Sequence, residues 1–158
     1  MLNFFTSILV NIDHGSIPGC SLELEQKLNI SDLGFGLLGT FVYLGLSIGS
    51  VVGAKVYTKT KHIKLILTVC LVITAITLTI FASVSNFEVA LLMRMLSGFF
   101  EVVITIFTPV WADTFGPQKE KSIWMTGLLT CPTFGIFIGF SLTSIFNVEA
   151  SWELTFYL

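Results

Sequence analysis

Arg94 and Glu101 are the residues of this chain whose types and spacing most clearly indicate chemistry. Both lie inside the apolar run Val89 to Ala112, seven residues apart. Seven residues make about two helical turns, so the two side chains share one face of a helix. A charge in hydrocarbon costs at least ~2.5 kcal/mol, and intramembrane ionisable residues therefore normally face a protein interior or a watery cavity. The pattern indicates binding or movement of a polar solute or a proton.

Asp13 and His14 are a second candidate pair, in the first apolar run. By helical rise, Asp13 lies about 18 Å from the start of its run and Glu101 about 18 Å from the start of its own. In a hydrocarbon core of about 30 Å, both carboxyls would lie near the midplane. Histidine can titrate near neutral pH, so His14 is either a coupling residue or a hydrogen-bonded packing residue.

A static interpretation of Arg94 and Glu101 also stands. Glu101 could be a neutral, hydrogen-bonded acid, or the two residues could form an ion pair that only holds helices together. Against this, a carboxyl that alternates between its neutral and charged forms can carry a proton. The sequence alone leaves both interpretations open.

Composition places the chain in a membrane. Of its 158 residues, 54% are hydrophobic and only 11% are charged, whereas soluble proteins carry roughly 25% charged residues. The net charge of −2 gives no indication of a nucleic-acid partner. Cys20, Cys70 and Cys131 are scattered, without metal-ligand spacing, and are interpreted as packing residues. No nucleophile, zinc or phosphate-loop motif is present, so we expect neither an enzyme nor a metal or other cofactor.

Apolar runs predict five complete transmembrane helices and the start of a sixth. The predicted helices cover about residues 2–20, 33–54, 65–87, 89–112 and 122–148, and the sixth begins at about Trp152. The last four runs exceed the ~20 residues that cross a bilayer. Only helices satisfy every backbone group over such lengths, so we expect an all-α membrane protein without a soluble domain.

Lysines in the short loops predict the orientation. The loops after the second and fourth helices contain Lys55, Lys59, Lys61, Lys64, Lys119 and Lys121. The other loops contain only Lys27. Basic residues concentrate in cytoplasmic loops, so the amino terminus and the even-numbered loops are predicted to be cytoplasmic.

Two of the predicted helices carry small residues at a four-residue spacing. The second has Gly45, Gly49 and Gly53, and the fifth has Gly127, Cys131, Gly135 and Gly139, with Pro132 inside the run. Glycines at this spacing let another helix backbone approach closely, as ordinary packing or as a moving seam. The third helix has neither glycine nor proline and is predicted to face lipid. Charged residues in the first and fourth helices and glycines in the second and fifth suit a three-helix unit used twice, as in many transporters.

Specific motifs lie in the fourth and fifth predicted helices. The fourth reads Arg94-Met-Leu-Ser-Gly98-Phe-Phe-Glu101 and continues to Pro109-Val-Trp-Ala-Asp113, and the fifth contains residues 127–139 with their glycines. These motifs resemble the fourth-helix and gating-helix patterns of the major facilitator superfamily, and are closest to its spinster-like branch. The resemblance implies the amino-terminal six-helix half of that fold, with the carboxy-terminal half as an expected missing partner. Asp13 matches an acidic first-helix position of the branch.

The chain also departs from the family pattern. Tyr57 stands where the family carries an aspartate that pairs charges across the cytoplasmic gate, and Phe100 stands where a second glycine is expected. Lys55, Lys59 and Asp113 are candidate gate charges. Asp113 is either such a gate residue or a loop charge paired with one of the two lysines.

The resemblance implies a secondary active transporter, proton-coupled or facilitative. It would move a small organic or amphipathic, lipid-like solute by alternating access. Its partners would be the bilayer, the solute and protons, in a plasma or an endolysosomal-type membrane. The alternative is a truncated, non-transporting receptor or scaffold that retains the fold. Arg94, Glu101 and Asp13 in the expected cavity favour transport, and the expected missing half and the altered Tyr57 position favour the alternative.

Overall fold

The computed structural model describes residues 2–59, 62–149 and 156. Within these residues the ordered elements are α-helices, and no strand is found. They are α1 (Leu2–Val10), α2 (Ile12–Gly19), α3 (Ser21–Leu28), α4 (Asp32–Lys59), α5 (Ile63–Ser83), α6 (Phe87–Phe115) and α7 (Lys121–Glu149). The predicted all-α class is therefore confirmed. The predicted start of a sixth helix at Trp152 lies outside the described residues.

Four of the described helices are long and apolar enough to cross a membrane. They are α4, α5, α6 and the Lys121–Phe146 part of α7, which correspond to the second to fifth predicted spans. The chain is therefore an integral, multi-pass membrane protein.

Two helix ends extend further than predicted. α4 continues to Lys59 because residues 55–59 contain no glycine or proline, and a lysine in the last turn interacts favourably with the helix dipole. α6 continues to Phe115 and stops before Gly116-Pro117, which cannot continue a helix. The candidate gate charges Lys55, Lys59 and Asp113 therefore belong to helix ends and not to loops.

The first predicted span is broken into α1 and α2. The break lies at Asn11, whose side-chain Nδ2 donates to the carbonyl oxygen of Ser7 at 2.8 Å and whose backbone N–H donates to Ile8 at 3.1 Å. An asparagine side chain that bonds nearby backbone competes with helix continuation. Pro18 inside α2 removes a further helical hydrogen bond. A continuous helix over residues 2–20 was therefore the wrong prediction for this segment.

The chain folds as two compact units, of which the first comprises residues 1–21 and 107–158. In this first unit α1 and α2 pack along α7. The backbones meet closely: a Cβ atom added at Gly139 would overlap the carbonyl oxygen of Ile12, and one added at Gly15 would overlap that of Ile136. Glycine is therefore required on both sides of the α2–α7 contact.

The second unit comprises residues 22–106. Here α4 packs on α6 through Gly45 and Gly49, where an added Cβ would overlap the carbonyl oxygens of Met95 and Phe99. α3 supports the end of α5, because Lys27 Nζ donates to the carbonyl oxygen of Ala82 at 2.6 Å. A cation at that position stabilises the carboxy-terminal end of a helix.

Helix α5 has two different faces. Its exposed face is a row of large apolar residues at helical spacing, Leu65, Val69, Val72, Ile76 and Ile80. Its buried face carries Cys70, Thr74, Thr77 and Phe81. The exposed apolar face suits the predicted lipid-facing position, which stays a prediction, and the opposite face is buried against the protein. The three cysteines of the chain are free and buried, which confirms their interpretation as packing residues.

Candidate functional site

Arg94 and Glu101 lie on one buried face of α6, as their spacing predicted. Each residue is only 2% exposed. Ser97 lies between them on the same face, and its hydroxyl donates to the carbonyl oxygen of Arg94 at 2.9 Å. That hydroxyl therefore serves the helix backbone, and the polar chemistry of this face comes from the guanidinium and the carboxyl group.

Close packing of α4 fixes the rotation of α6. Besides the contacts of Gly45 and Gly49, Gly98 of α6 faces the carbonyl oxygen of Val42 so closely that an added Cβ would overlap it. Arg94, Ser97 and Glu101 each precede by one position the residues that meet α4. One position turns a helix by about 100°, so the charged face lies beside the α4 contact and not in it.

An aromatic ring lies against the Arg94 guanidinium. Arg94 Cζ is 5.5 Å from the centroid of the Phe81 ring, within the range of a cation–π interaction. Both residues are buried, so the interaction occurs away from water and is stronger than at an exposed site. This partner could not be predicted from the sequence, because no periodic pattern links positions 81 and 94 on different helices.

The buried face of α5 also carries polar groups in the second unit. Thr77 donates its hydroxyl to the carbonyl oxygen of Thr74 at 2.8 Å. The Thr74 hydroxyl is itself buried and has no hydrogen-bond partner among the described residues. Buried polar groups are normally satisfied, so Thr74 marks a place where a water or a polar ligand group would be favoured.

Asp13 and His14 lie on α2 in the first unit. Asp13 is 5% exposed, and its Oδ2 atom is 3.9 Å from His14 Nδ1. That separation exceeds hydrogen-bond length, so the two groups are close neighbours but this contact is not a hydrogen bond. Their helix is held on α7 by the Gly139 contact, while Ser16 returns its hydroxyl to the carbonyl oxygen of Ile12 at 2.9 Å. Two titratable groups are therefore positioned on a helix with a fixed support.

Tyr57 makes a neutral contact between α4 and α6. The Tyr57 hydroxyl, near the end of α4, donates to the backbone carbonyl of Val103 on α6. Lys55 and Lys59, the neighbouring candidate gate charges, are exposed on the same helix end. A tyrosine can therefore hold α4 on α6 without a charge.

Asp113 has a partner that sequence reasoning did not consider. Its Oδ1 atom is 2.6 Å from Lys121 Nζ, which bridges the end of α6 to the start of α7. The rings of Trp111 and Trp124 stack across the same two helices, with centroids 5.8 Å apart. The sequence shows that these charged and aromatic residues lie close together along the chain. It does not show that Lys121 pairs with Asp113 or that Trp111 stacks on Trp124.

The remaining predicted gating residues divide into close and ordinary contacts. An added Cβ at Gly135 would overlap the carbonyl oxygen of Ile8, so this position requires glycine. Gly53 differs from Gly45 and Gly49, because its nearest neighbour would lie 3.5 Å from an added Cβ, at Val103. Pro132 lies inside α7 and removes one backbone hydrogen bond there.

Comparison with known families decides the identity of this arrangement. The family model described as Major Facilitator Superfamily matches residues 3–158, nearly the whole chain. The chain belongs to the major facilitator superfamily. Members of this superfamily are membrane transporters, which agrees with the helical architecture and the buried charges of α6. A comparison with curated proteins finds no match.

Proposed function

We propose that this superfamily member is the amino-terminal half of a secondary active transporter of the spinster-like branch. It moves a small organic or amphipathic, lipid-like solute by alternating access. The observation that carries the proposal is the burial of Arg94 and Glu101 on one face of a membrane-spanning helix. Ionisable groups are expensive in hydrocarbon, so their presence in α6 supports a binding role more than a purely structural one.

Arg94 and Glu101 have complementary roles in this proposal. The planar guanidinium can bind a carboxylate or phosphate through two parallel hydrogen bonds. When Glu101 is a carboxylate it competes with an anionic solute for Arg94, and when it is protonated it leaves the Arg94 charge available. Proton binding and solute binding then favour each other, which is the requirement for symport. Phe81 keeps the guanidinium in place in both states.

Asp13 and His14 form a second titratable pair in this proposal. Asp13 Oδ2 and His14 Nδ1 lie 3.9 Å apart. The span is interrupted at Asn11, and Pro18 has no backbone N–H to donate within α2, which resembles the interrupted helices that line transporter sites. We assign the pair to solute or proton binding in a plasma or endolysosomal-type membrane.

Gating is assigned to the glycine contacts and the charged helix ends. Gly45, Gly49 and Gly53 with α6, and Pro132, Gly135 and Gly139 with α1 and α2, form smooth surfaces over which helices can rock. Lys55, Lys59 and Asp113 are proposed as charges of the cytoplasmic gate.

Replacement of Glu101 tests the coupling role. Glu101→Gln in the complete transporter polypeptide keeps the shape of the side chain and removes its titration. We expect loss of pH-driven solute accumulation, while exchange of solute between equally loaded compartments continues, because exchange needs no net proton movement. Glu88→Gln, at an exposed position of the same helix, is the matched control and should accumulate solute normally.

Two results would overturn parts of this proposal. If Glu101→Gln and Asp13→Asn both accumulate solute with unchanged pH dependence, neither carboxyl couples transport and the charged face is structural. If the unmodified polypeptide shows no exchange of any solute tested, the receptor or scaffold alternative replaces transport.

A further inference from the structure

The connection between α4 and α5 concentrates positive charge without compensation. Lys55, Lys59 and Lys64 are exposed on the two helix ends, with His62 between them, and Lys61 belongs to the same stretch of sequence. The sequence contains no aspartate or glutamate from residue 33 to residue 87. The positive charge of this segment is therefore not balanced locally.

The other lysine-rich connection, between α6 and α7, is different. Lys119 and Lys121 lie among acidic residues, and the Lys121 ammonium is 2.6 Å from the Asp113 carboxylate. By contrast, the structure gives Lys55, Lys59 and Lys64 no carboxylate partner among the described residues. In the α6–α7 connection Asp113 and Glu120 balance the two lysine charges, whereas the α4–α5 connection carries a net positive charge that can attract an external anion.

Apolar surface adjoins this basic connection. Val51 and Val52 on α4 and Leu65 and Val69 on α5 are exposed within one or two helical turns of the lysines. Because both helices are membrane-spanning candidates, these side chains would lie at the level of the acyl chains, and the lysine side chains are long enough to extend to the headgroups. A negatively charged head joined to an apolar tail matches both parts of this surface.

We propose that the basic connection formed by Lys55, Lys59 and Lys64 binds the headgroup of an anionic phospholipid. A free phosphate fits less well, because it would leave the adjoining apolar surface unmatched. A juxtamembrane lysine contributes about fivefold to the affinity for an anionic membrane lipid. Three lysines acting together would contribute on the order of 100-fold. The proposal concerns lipid binding and is independent of the solute moved.

The experiment uses the full chain in an uncharged detergent. Binding of dye-labelled, short-chain phosphatidylserine is followed by fluorescence anisotropy, with the phosphatidylcholine analogue as the uncharged comparison. We expect tighter binding of phosphatidylserine, weakened by added salt. Lys59→Gln should weaken it about fivefold, and the triple variant Lys55→Gln, Lys59→Gln, Lys64→Gln on the order of 100-fold. Lys59→Arg keeps the charge and should bind normally.

Lys119→Gln is the matched control, since it removes one lysine charge from the other connection and should leave phosphatidylserine binding unchanged. Equal binding of the two lipids, or equal weakening by Lys119→Gln and Lys59→Gln, would overturn the proposal. Displacement of the lipid probe by inorganic phosphate alone, at equal ionic strength, would reassign the surface to free anions. If the triple variant does not fold, the single variants at Lys59 and Lys64 decide the result.

Discussion

Tyr57 makes a neutral contact at a position where the resemblance to the family implies an ionic one. An aspartate at this position would need a cationic partner, and its contact would weaken as salt increased. The Tyr57 hydroxyl instead donates to a backbone carbonyl, that of Val103. A backbone acceptor cannot be removed by substitution of its side chain, and the bond is insensitive to ionic strength. The carboxy-terminal end of α4 is therefore held on α6 by a contact that does not depend on charge.

Tyr57→Phe should measure this contact directly. The change removes one hydroxyl donor and keeps the ring, so we expect a loss of about 0.5–1.5 kcal/mol in the free energy of unfolding. Equilibrium unfolding of the purified chain in detergent micelles gives the value. Thr79→Val is the control, because the Thr79 hydroxyl bonds only within α5, to Ala75 at 2.8 Å. Equal stability of the Tyr57→Phe and parent proteins would mean that the hydroxyl contributes nothing.

Residue type was sufficient to predict some of these positions and insufficient for others. Arg94 and Glu101 could be identified because a charge inside an apolar run is exceptional, and their helical spacing placed them on one face. The contacts of Phe81 and Tyr57 could not be predicted, since they join different helices and depend on how those helices pack. A phenylalanine in a membrane helix is too common to suggest a guanidinium partner.

At the scale of helices, the glycines determine which backbones meet. Gly45 and Gly49 bring α4 onto α6, and Gly135 and Gly139 bring α7 onto α1 and α2. Each glycine stripe therefore has its close partner within its own compact unit. Without large side chains in the contact, van der Waals packing of the backbones supplies most of the attraction between membrane helices.

Two glycines of α4 offer a matched test of this packing. Gly45→Leu would drive a side chain into the carbonyl oxygen of Met95, whereas nothing lies within 4 Å of a Cβ added at Gly39. We expect Gly45→Leu to destabilise the protein by about 1–3 kcal/mol or more, as overpacking does, and Gly39→Leu to be tolerated. Thermal unfolding in detergent and the yield of folded protein report the difference. Similar behaviour of the two variants would remove the close-packing argument.

The segments that can span the membrane could be predicted better than the side of a helix that is buried or the place where a helix breaks. The four long apolar runs sufficed to identify α4 to α7, because length and hydropathy alone determine whether a helix can span a bilayer. Which side of α5 is buried could not be predicted, since threonine and cysteine are apolar enough to be accepted in either environment. The break at Asn11 was missed because it depends on a local side-chain bond to Ser7 and not on the apolar run.

For the whole molecule, the distribution of lysines is the strongest prediction of orientation. Six lysines lie in the even-numbered connections or at the adjoining helix ends, and Lys27 alone lies on the predicted opposite side. The extension of α4 to Lys59 leaves this argument intact, because the rule counts residues near the ends of membrane spans as well as those in loops. The basic α4–α5 connection should therefore face the cytoplasm, where anionic lipids are concentrated.

Cysteine labelling of intact cells tests that orientation. Thr58 and Ser85 are exposed and lie before and after α5 in the chain. Thr58 is in the last turn of α4, and Ser85 is just before α6. In a background lacking Cys20, Cys70 and Cys131, we expect Ser85→Cys to react with a membrane-impermeant thiol reagent from outside. Thr58→Cys should react only after the membrane is permeabilised, because it adjoins a lysine-rich connection and such connections are cytoplasmic. External labelling of Thr58→Cys, with Ser85→Cys protected, would reverse the topology and move the proposed lipid surface to the outer leaflet.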